Sequence, residues 1–294
     1  MLDYRLKTFL MLCREKSFTK TAEKLHMTQP AVSQHIQYLE KAYGTKLFVY
    51  QGKTLTLTPK GKLLRQFAVT VAADSKKVQE QLEEPEEPKQ TLNFGATLTI
   101  GEFVMPEVLH AFFREHPQIS LRMLVENTQK LLQQLQEGTI DFALIEGNFD
   151  HAQFEAKLLS RERFVAVCAK DFPLEEEKYA WWQLCEYPLI IREEGSGTRH
   201  ILQQVLEEQN MRLSDFAITR EIENFQAIKQ LVLAGDGITF LYERVVKKEL
   251  ANGSLREIPI ECPFTQRGFY LVHLKNSYFK EQYMEFFSFC QKRF

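Results

Sequence analysis

From residue 91 onward the chain alternates short apolar runs with stretches of helical period, and few folds accept that alternation. TLNFGAT, ISLRMLVEN, TIDFALIEG, RFVAVCAK, YPLIIREE, FAITREIE and GITFLY read as strands. GEFVMPEVLHAFFREHP, TQKLLQQLQEG, GTRHILQQVLEEQN, NFQAIKQLVLAG and YFKEQYMEFFSFCQKRF read as helices, with Val104, Val108 and Phe112 sharing one face of the first. Strands that alternate with helices predict an α/β architecture with a mostly parallel sheet. The first 90 residues lack this pattern, and 294 residues exceed one ordinary core, so two or three domains are expected.

Composition narrows the class. With 44% hydrophobic and 26% charged residues the chain is expected to be globular, neither disordered nor membrane-bound. The opening MLDYRLKTFLMLCREKSF is broken by Asp3, Arg5, Lys7, Arg14 and Glu15, so it reads as an amphipathic helix. It is not a signal peptide or a membrane span, and a cytoplasmic protein is expected. Cys13, Cys168, Cys185, Cys262 and Cys290 are scattered without a C-x-x-C spacing, which argues against a disulfide framework or a metal site. Most read as buried thiols; an exposed Cys290 stays open. The net charge of −2 conceals an asymmetry, since residues 1–65 hold twelve Lys/Arg against four Asp/Glu. A basic head on an acidic body points to a polyanionic partner for the head alone.

The head carries a pattern that fits such a partner. Tyr4–Glu15 is a first helix with Leu6, Phe9, Leu10 and Cys13 inward. Ser17 caps a short second helix with Phe18, Ala22 and Leu25 inward. Thr28 caps a third, where Pro30 is tolerated in the first turn and Val32, Ile36 and Leu39 face inward. Its outer face presents Gln29, Pro30, Ser33, Gln34 and Gln37, small or amide residues with few charges. Amides pair with adenine edges, and small side chains permit close approach to a major groove. An ordinary helical hairpin would show the same inward pattern. The next segment weighs against it: Phe48-Val49-Tyr50 and Leu55-Thr56-Leu57 flank Gln51-Gly52-Lys53 as a hairpin wing, with Lys53 at its tip near phosphate.

The run FTKTAEKLHMTQPAVSQHIQYLEKAYGTKLFVYQGKTLTLTPKGK resembles the DNA-binding head of LysR-type transcriptional regulators. The shared features are Ala22, Leu25, Gln29-Pro30-Ala31-Val32-Ser33, Leu39-Glu40, Gly44, Leu47-Phe48 and Leu57-Thr58-Pro59-x-Gly61. Tyr50 departs from it, standing where the family commonly has Arg. Between Thr58 and Glu83, Leu64, Val71 and Val78 fall seven apart, with Phe67, Ala68 and Leu82 alongside. That stripe suits pairing with a second copy, as the resemblance also implies, although packing on its own head is an alternative. EEPEEPKQ then reads as a short hinge.

The resemblance implies a winged helix-turn-helix over 1–57, a dimerising linker helix and hinge over 58–90, and an effector domain over 91–294. This last has the two-lobed α/β fold of periplasmic-binding-protein type, lobe one taking 91–161 and 266–294 and lobe two 162–265. It further implies double-stranded DNA, RNA polymerase and a dimer or tetramer as partners, with no cofactor beyond a small effector. In such folds ligands sit between lobes at strand ends and helix starts. Thr97, Thr99 and Ile100 in the first loop, Glu146 at the end of a strand, and Ser196 and Thr198 in Glu194-Gly195-Ser196-Gly197-Thr198 are the effector-binding candidates. Hydroxyls and free amides at helix starts favour a small anion, although each loop taken alone reads as a helix cap. Arg199 adds a positive charge there or lies on the surface. In lobe two Asp236 replaces a common apolar residue and Tyr242 a frequent proline.

Three other functions compete. An enzyme is disfavoured because the seven histidines are dispersed and no H-E-x-x-H, G-x-S-x-G or Walker A pattern is present; His200 reads as a helix surface residue. A transported-solute binder would need export, and a nonspecific nucleoid protein would show no operator preference. The sequence therefore points to a sequence-specific regulator controlled by a small, anionic metabolite, with no catalytic residues.

Overall fold

The computed structural model describes residues 3–83, 91–174, 176–261 and 266–294. Most of the expected hinge, and Cys262, lie outside them. The chain forms two compact units. One comprises Met1–Pro88 with Leu135–Thr139 and Leu274–Lys280; the other comprises Lys89–Gln134, Ile140–His273 and Glu281–Phe294.

The first unit starts with α1 (Tyr4–Glu15), α2 (Phe18–Lys24) and α3 (Gln29–Ala42). The Ser17 hydroxyl accepts from the Lys20 amide at 3.3 Å and the Thr28 hydroxyl from the Ala31 amide at 3.4 Å, so both predicted caps are made. Strands β1 (Phe48–Gln51) and β2 (Thr54–Leu57) pair antiparallel as the wing, with Gly52 at φ +62° in its turn. Leu6, Phe9, Leu12, Ile36, Leu39, Leu47 and Leu55 pack into one core. Helix α4 (Pro59–Glu83) leaves the wing past Gly61, where a β-carbon would stand 2.1 Å from the Leu47 carbonyl oxygen. Only glycine admits that approach.

Along α4 the free apolar face differs from the expected stripe. Leu64 packs against the head core, because the helix starts by lying on α1. Leu63, Phe67, Val78 and Leu82 are the exposed apolar residues, Leu82 being 80% exposed, and Val71 is half-buried between them. Farther along, the Thr70 hydroxyl donates to the Lys275 carbonyl at 3.1 Å. The Asp74 carboxylate accepts from the Ser277 hydroxyl and the Tyr278 amide, each at 2.8 Å.

The second unit holds two five-stranded sheets. Lobe one contains β3 (Thr91–Ala96), α5 (Leu98–Phe103), α6 (Met105–Glu115), β4 (Ser120–Val125), α7 (Thr128–Glu137), β5 (Phe142–Glu146) and β6 (Phe154–Glu162). Lobe two follows with β7 (Phe164–Ala169), α8 (Trp181–Leu184), β8 (Leu189–Ile191), α9 (Gly197–Glu208), β9 (Thr219–Glu221), α10 (Phe225–Leu233), β10 (Ile238–Tyr242), α11 (Glu243–Ala251) and β11 (Leu255–Glu257). The chain then returns to lobe one with β12 (Arg267–Leu274) and α12 (Lys280–Gln291). The strand orders are β4-β3-β5-β12-β6 and β11-β7-β10-β8-β9.

Strand β3 runs parallel to β4 and β5, and β8 parallel to β9 and β10, while β12 runs antiparallel to β5, and β7 antiparallel to β10 and β11. The expected helix over GEFVMPEVLHAFFREHP breaks at Val104, and Pro106 stands in the first turn of α6. FAITREIE supplies only a three-residue exposed edge strand. Cys290 is fully buried, which closes the question of its exposure.

Candidate functional site

Two surfaces carry the candidate chemistry. On α3, Gln29, Pro30, Gln34 and Gln37 are exposed and Ser33 is half-buried. The Gln29 amide donates to the Ser33 hydroxyl at 3.0 Å, so this pair is already engaged with itself. Lys53 and Tyr50 are exposed on the wing. Amide and hydroxyl groups on one helix face, with a lysine on the adjoining hairpin, are the parts that a major groove and its phosphates require.

The second surface lies between the lobes. At the N-terminus of α5, Thr97 occupies the cap position, yet its hydroxyl does not cap. It donates instead to Oε2 of Glu146, at the end of β5. Thr99 donates to Oε1 of the same carboxyl at 3.0 Å. Thr198, from the first turn of α9 in lobe two, donates to that oxygen at 3.4 Å and lies 3.4 Å from the Thr99 hydroxyl. Three hydroxyls from both lobes thus converge on one carboxyl that is 2% exposed. Burial pushes Glu146 above the usual carboxylate range, opposed by the bonds from Thr97 and Thr99 and by the charge of Arg192.

The predicted residues divide accordingly. Thr97, Thr99, Thr198 and Glu146 form one cluster. Ser196 is not bonded to it; its hydroxyl caps the Arg199 amide at 3.4 Å, as an N-cap residue does. Ile100 sits in the first turn of α5 with its side chain in the core, so only its backbone belongs to the helix start. The hydroxyls therefore meet an acidic side chain of the chain itself, where the sequence predicted an open place for an anion.

Close contact between lobes depends on glycine. A β-carbon on Gly197 would stand 2.5 Å from the Glu146 carbonyl oxygen and 2.7 Å from the Thr128 hydroxyl. That hydroxyl donates to the same Glu146 carbonyl at 3.0 Å. Thr128 was not among the sequence candidates, and Gly197 entered only as part of the Glu194–Thr198 loop, because neither spacing nor composition records a contact between lobes. Beside this contact opens a cleft of about 430 Å³. Its polar lining includes the predicted Ser196, with Thr128, Gln129, Glu194, Arg199 and His200. His200 is not a plain surface residue: it lines the cleft with a buried Nε2 that has no hydrogen-bond partner. Arg199 also lines it, and its guanidinium bonds Glu221 at 2.5 Å.

Residues 4–62 match the bacterial regulatory helix-turn-helix of the lysR family, and residues 85–294 match the LysR substrate binding domain. The chain belongs to the LysR family. It is a LysR-type DNA-binding transcriptional regulator with an effector-binding domain. Among its relatives, the transcriptional activator CmpR of Synechocystis is 28% identical over 93% of this chain and 89% of its own. The regulator CysL of Bacillus subtilis is 32% identical over 87% and 84%.

Solved structures agree in fold. OxyR of Corynebacterium glutamicum, a C206 mutant, superposes with a TM-score of 0.61 at 22% identity over 99% of this chain and 90% of its own. The Synechocystis CcmR regulatory domain, in complex with 2-PG, gives 0.59 at 22% over 67% and 95%. In this LysR-type chain burial pushes the thiols of Cys13 and Cys290 up to about 12 and those of Cys168 and Cys185 to about 11. These four are protonated at neutral pH and poor nucleophiles. No group of residues suited to a metal ion occurs among the described residues, and no described helix is long and apolar enough to cross a membrane.

Proposed function

We propose that this regulator binds DNA in a sequence-specific manner through α3 and the wing, and that a small anion taken up between the lobes controls that binding. The observation that carries the reading is the convergence of Thr97, Thr99 and Thr198, from two lobes, on the Glu146 carboxyl. Donors that hold an internal carboxyl are suited to an external one, or to an inorganic oxyanion. An anion cannot share them with an ionised Glu146, since two buried negative charges at contact repel strongly. Uptake therefore requires that Glu146 take a proton and turn aside, which its burial favours. A ligand bound to both lobes stabilises one lobe arrangement over others, and only such differential binding shifts a regulator.

The remaining expectations belong to the same reading: a cytoplasmic, non-catalytic homo-oligomer paired through the exposed face of α4, acting with RNA polymerase. The test is a thermal-shift titration of sulfate, phosphate and small carboxylates on the wild type, Glu146→Gln, and a Thr99→Val/Thr198→Val variant. A stabilising anion is expected to act more strongly on Glu146→Gln and to lose its effect on the double variant. An anion that stabilises all three equally contradicts the reading.

A further inference from the structure

Tyr242 ends β10 with a side chain that is 0% exposed, and its hydroxyl has no hydrogen-bond partner. A buried phenol without a partner is destabilising relative to a satisfied one, and phenylalanine would fill the same space without that cost. The hydroxyl therefore calls for a use outside the arrangement just described. Its surroundings indicate one. The Tyr242 ring stands edge-on to Phe269, centroids 4.8 Å apart, and to Phe164 at 5.2 Å. Phe269 is the direct cross-strand partner of Glu146, so both side chains leave the sheet on one face. Tyr242 and Glu146 thus flank the same ring.

The electrostatics agree with the geometry. Burial holds the phenol well above its ordinary pKa, and the Glu146 charge adds to the effect, so the hydroxyl stays a donor. The charge of Arg267 reaches the phenol too, and the Arg267 Nε is a second buried donor without a partner. Its Nη2 is spent on Glu208 at 3.1 Å. An unpaired hydroxyl that flanks Phe269 opposite a carboxyl obliged to leave its present hydroxyls makes a place for that carboxyl.

We propose that Tyr242 is the second seat of Glu146: when the Glu146 carboxyl leaves Thr97, Thr99 and Thr198, the Tyr242 hydroxyl donates to it. Tyr242 is then a positioning residue for the effector site. It keeps the displaced acid satisfied without touching the effector. This rests on the anion reading for its purpose, but the exchange of partners can be measured without any anion.

The experiment is a double-mutant cycle on the full chain, read by thermal midpoint. In the wild type, Tyr242→Phe is expected to leave the midpoint unchanged or slightly raised, since no bond is lost. In a Thr97→Val/Thr99→Val background, where Glu146 has lost two donors and moved, Tyr242→Phe is expected to lower it by about 3 °C. Equal effects in both backgrounds overturn the proposal. Should the double valine variant fail to fold, Thr99→Val alone serves as the background. Sulfate titration gives the second readout. Tyr242→Phe should weaken sulfate about tenfold in the wild type and not in Glu146→Ala, which has no carboxyl to reseat. Equal weakening in both overturns the proposal. Failure of sulfate to bind either parent counts against the anion reading, and the thermal cycle still decides the role of Tyr242.

Discussion

Gly197 of α9 lies so close to Glu146 of β5 that a β-carbon there would stand 2.5 Å from the Glu146 carbonyl oxygen and 2.8 Å from its Cγ. The two lobes thus touch through a backbone without a side chain. Gly197→Ala is expected to force them apart and to separate Thr198 from the Glu146 carboxyl. The variant should fold, melt several degrees lower, and lose anion-induced stabilisation; an unchanged melting curve with a normal anion response would contradict the contact. Differential scanning fluorimetry with and without sulfate reads both.

Glu146 should also set a pH dependence. Its folded-state pKa lies above the unfolded value because burial disfavours the charge. The folded state then binds a proton more tightly, so this group favours folding below its unfolded pKa, and that contribution disappears as pH rises through the folded value. Glu146→Gln removes the buried charge. The variant is expected to melt about 3 °C above the wild type at alkaline pH, with the gap closing as pH falls. A gap that widens on acidification would mean that the carboxylate is stabilised as an ion.

On the linker, the exposed face predicts which residues join two copies. Phe67→Glu places a charge among Leu63, Val71 and Val78 and should yield monomers that retain a folded head. Leu64→Glu should instead unfold the head, because Leu64 packs on its core. Light scattering combined with circular dichroism separates the two outcomes. Oligomers that survive Phe67→Glu would move the interface elsewhere.

For DNA, Gln34→Ala should cost about 1–3 kcal/mol on a site selected from a random pool and little on random DNA. Lys53→Ala should weaken both and reduce the salt slope by about one. Fluorescence anisotropy across a salt series measures this. Equal losses for Gln34→Ala on both DNAs would assign it to backbone positioning.

The elements of the head were legible in the sequence because their signals are local, although Leu12, fully buried, was not among the inward residues read there. Ser17 and Thr28 cap where their spacing says, and Val32, Ile36 and Leu39 are buried as their period requires. Strand β6 was not, since FEAKLLSRE alternates irregularly between buried and exposed positions. Nor does the sequence record which side of Leu64 faces its own head, because heptad spacing is blind to the neighbour it meets. At the candidate site the hydroxyls of Thr97, Thr99 and Thr198 were legible as a set through their loop positions. Their target was not, for Glu146 meets Thr198 across 52 residues and two lobes. Sequence weighed Glu146 as a lining residue beside an anion; folding makes it the group the hydroxyls hold. Ser196 was read both as a cap and as a lining residue; its hydroxyl caps α9, and the residue also lines the adjoining cleft.

The central claim is that an external anion replaces the Glu146 carboxyl on Thr97, Thr99 and Thr198 while Glu146 takes a proton. Isothermal titration calorimetry of a stabilising anion, sulfate first, in buffers of different ionisation enthalpy counts the protons exchanged. At pH 8 the account predicts net proton uptake on binding to the wild type, none for Glu146→Gln, and no binding to Thr99→Val/Thr198→Val. Binding to the wild type without proton uptake, or undiminished binding to the double valine variant, would contradict it.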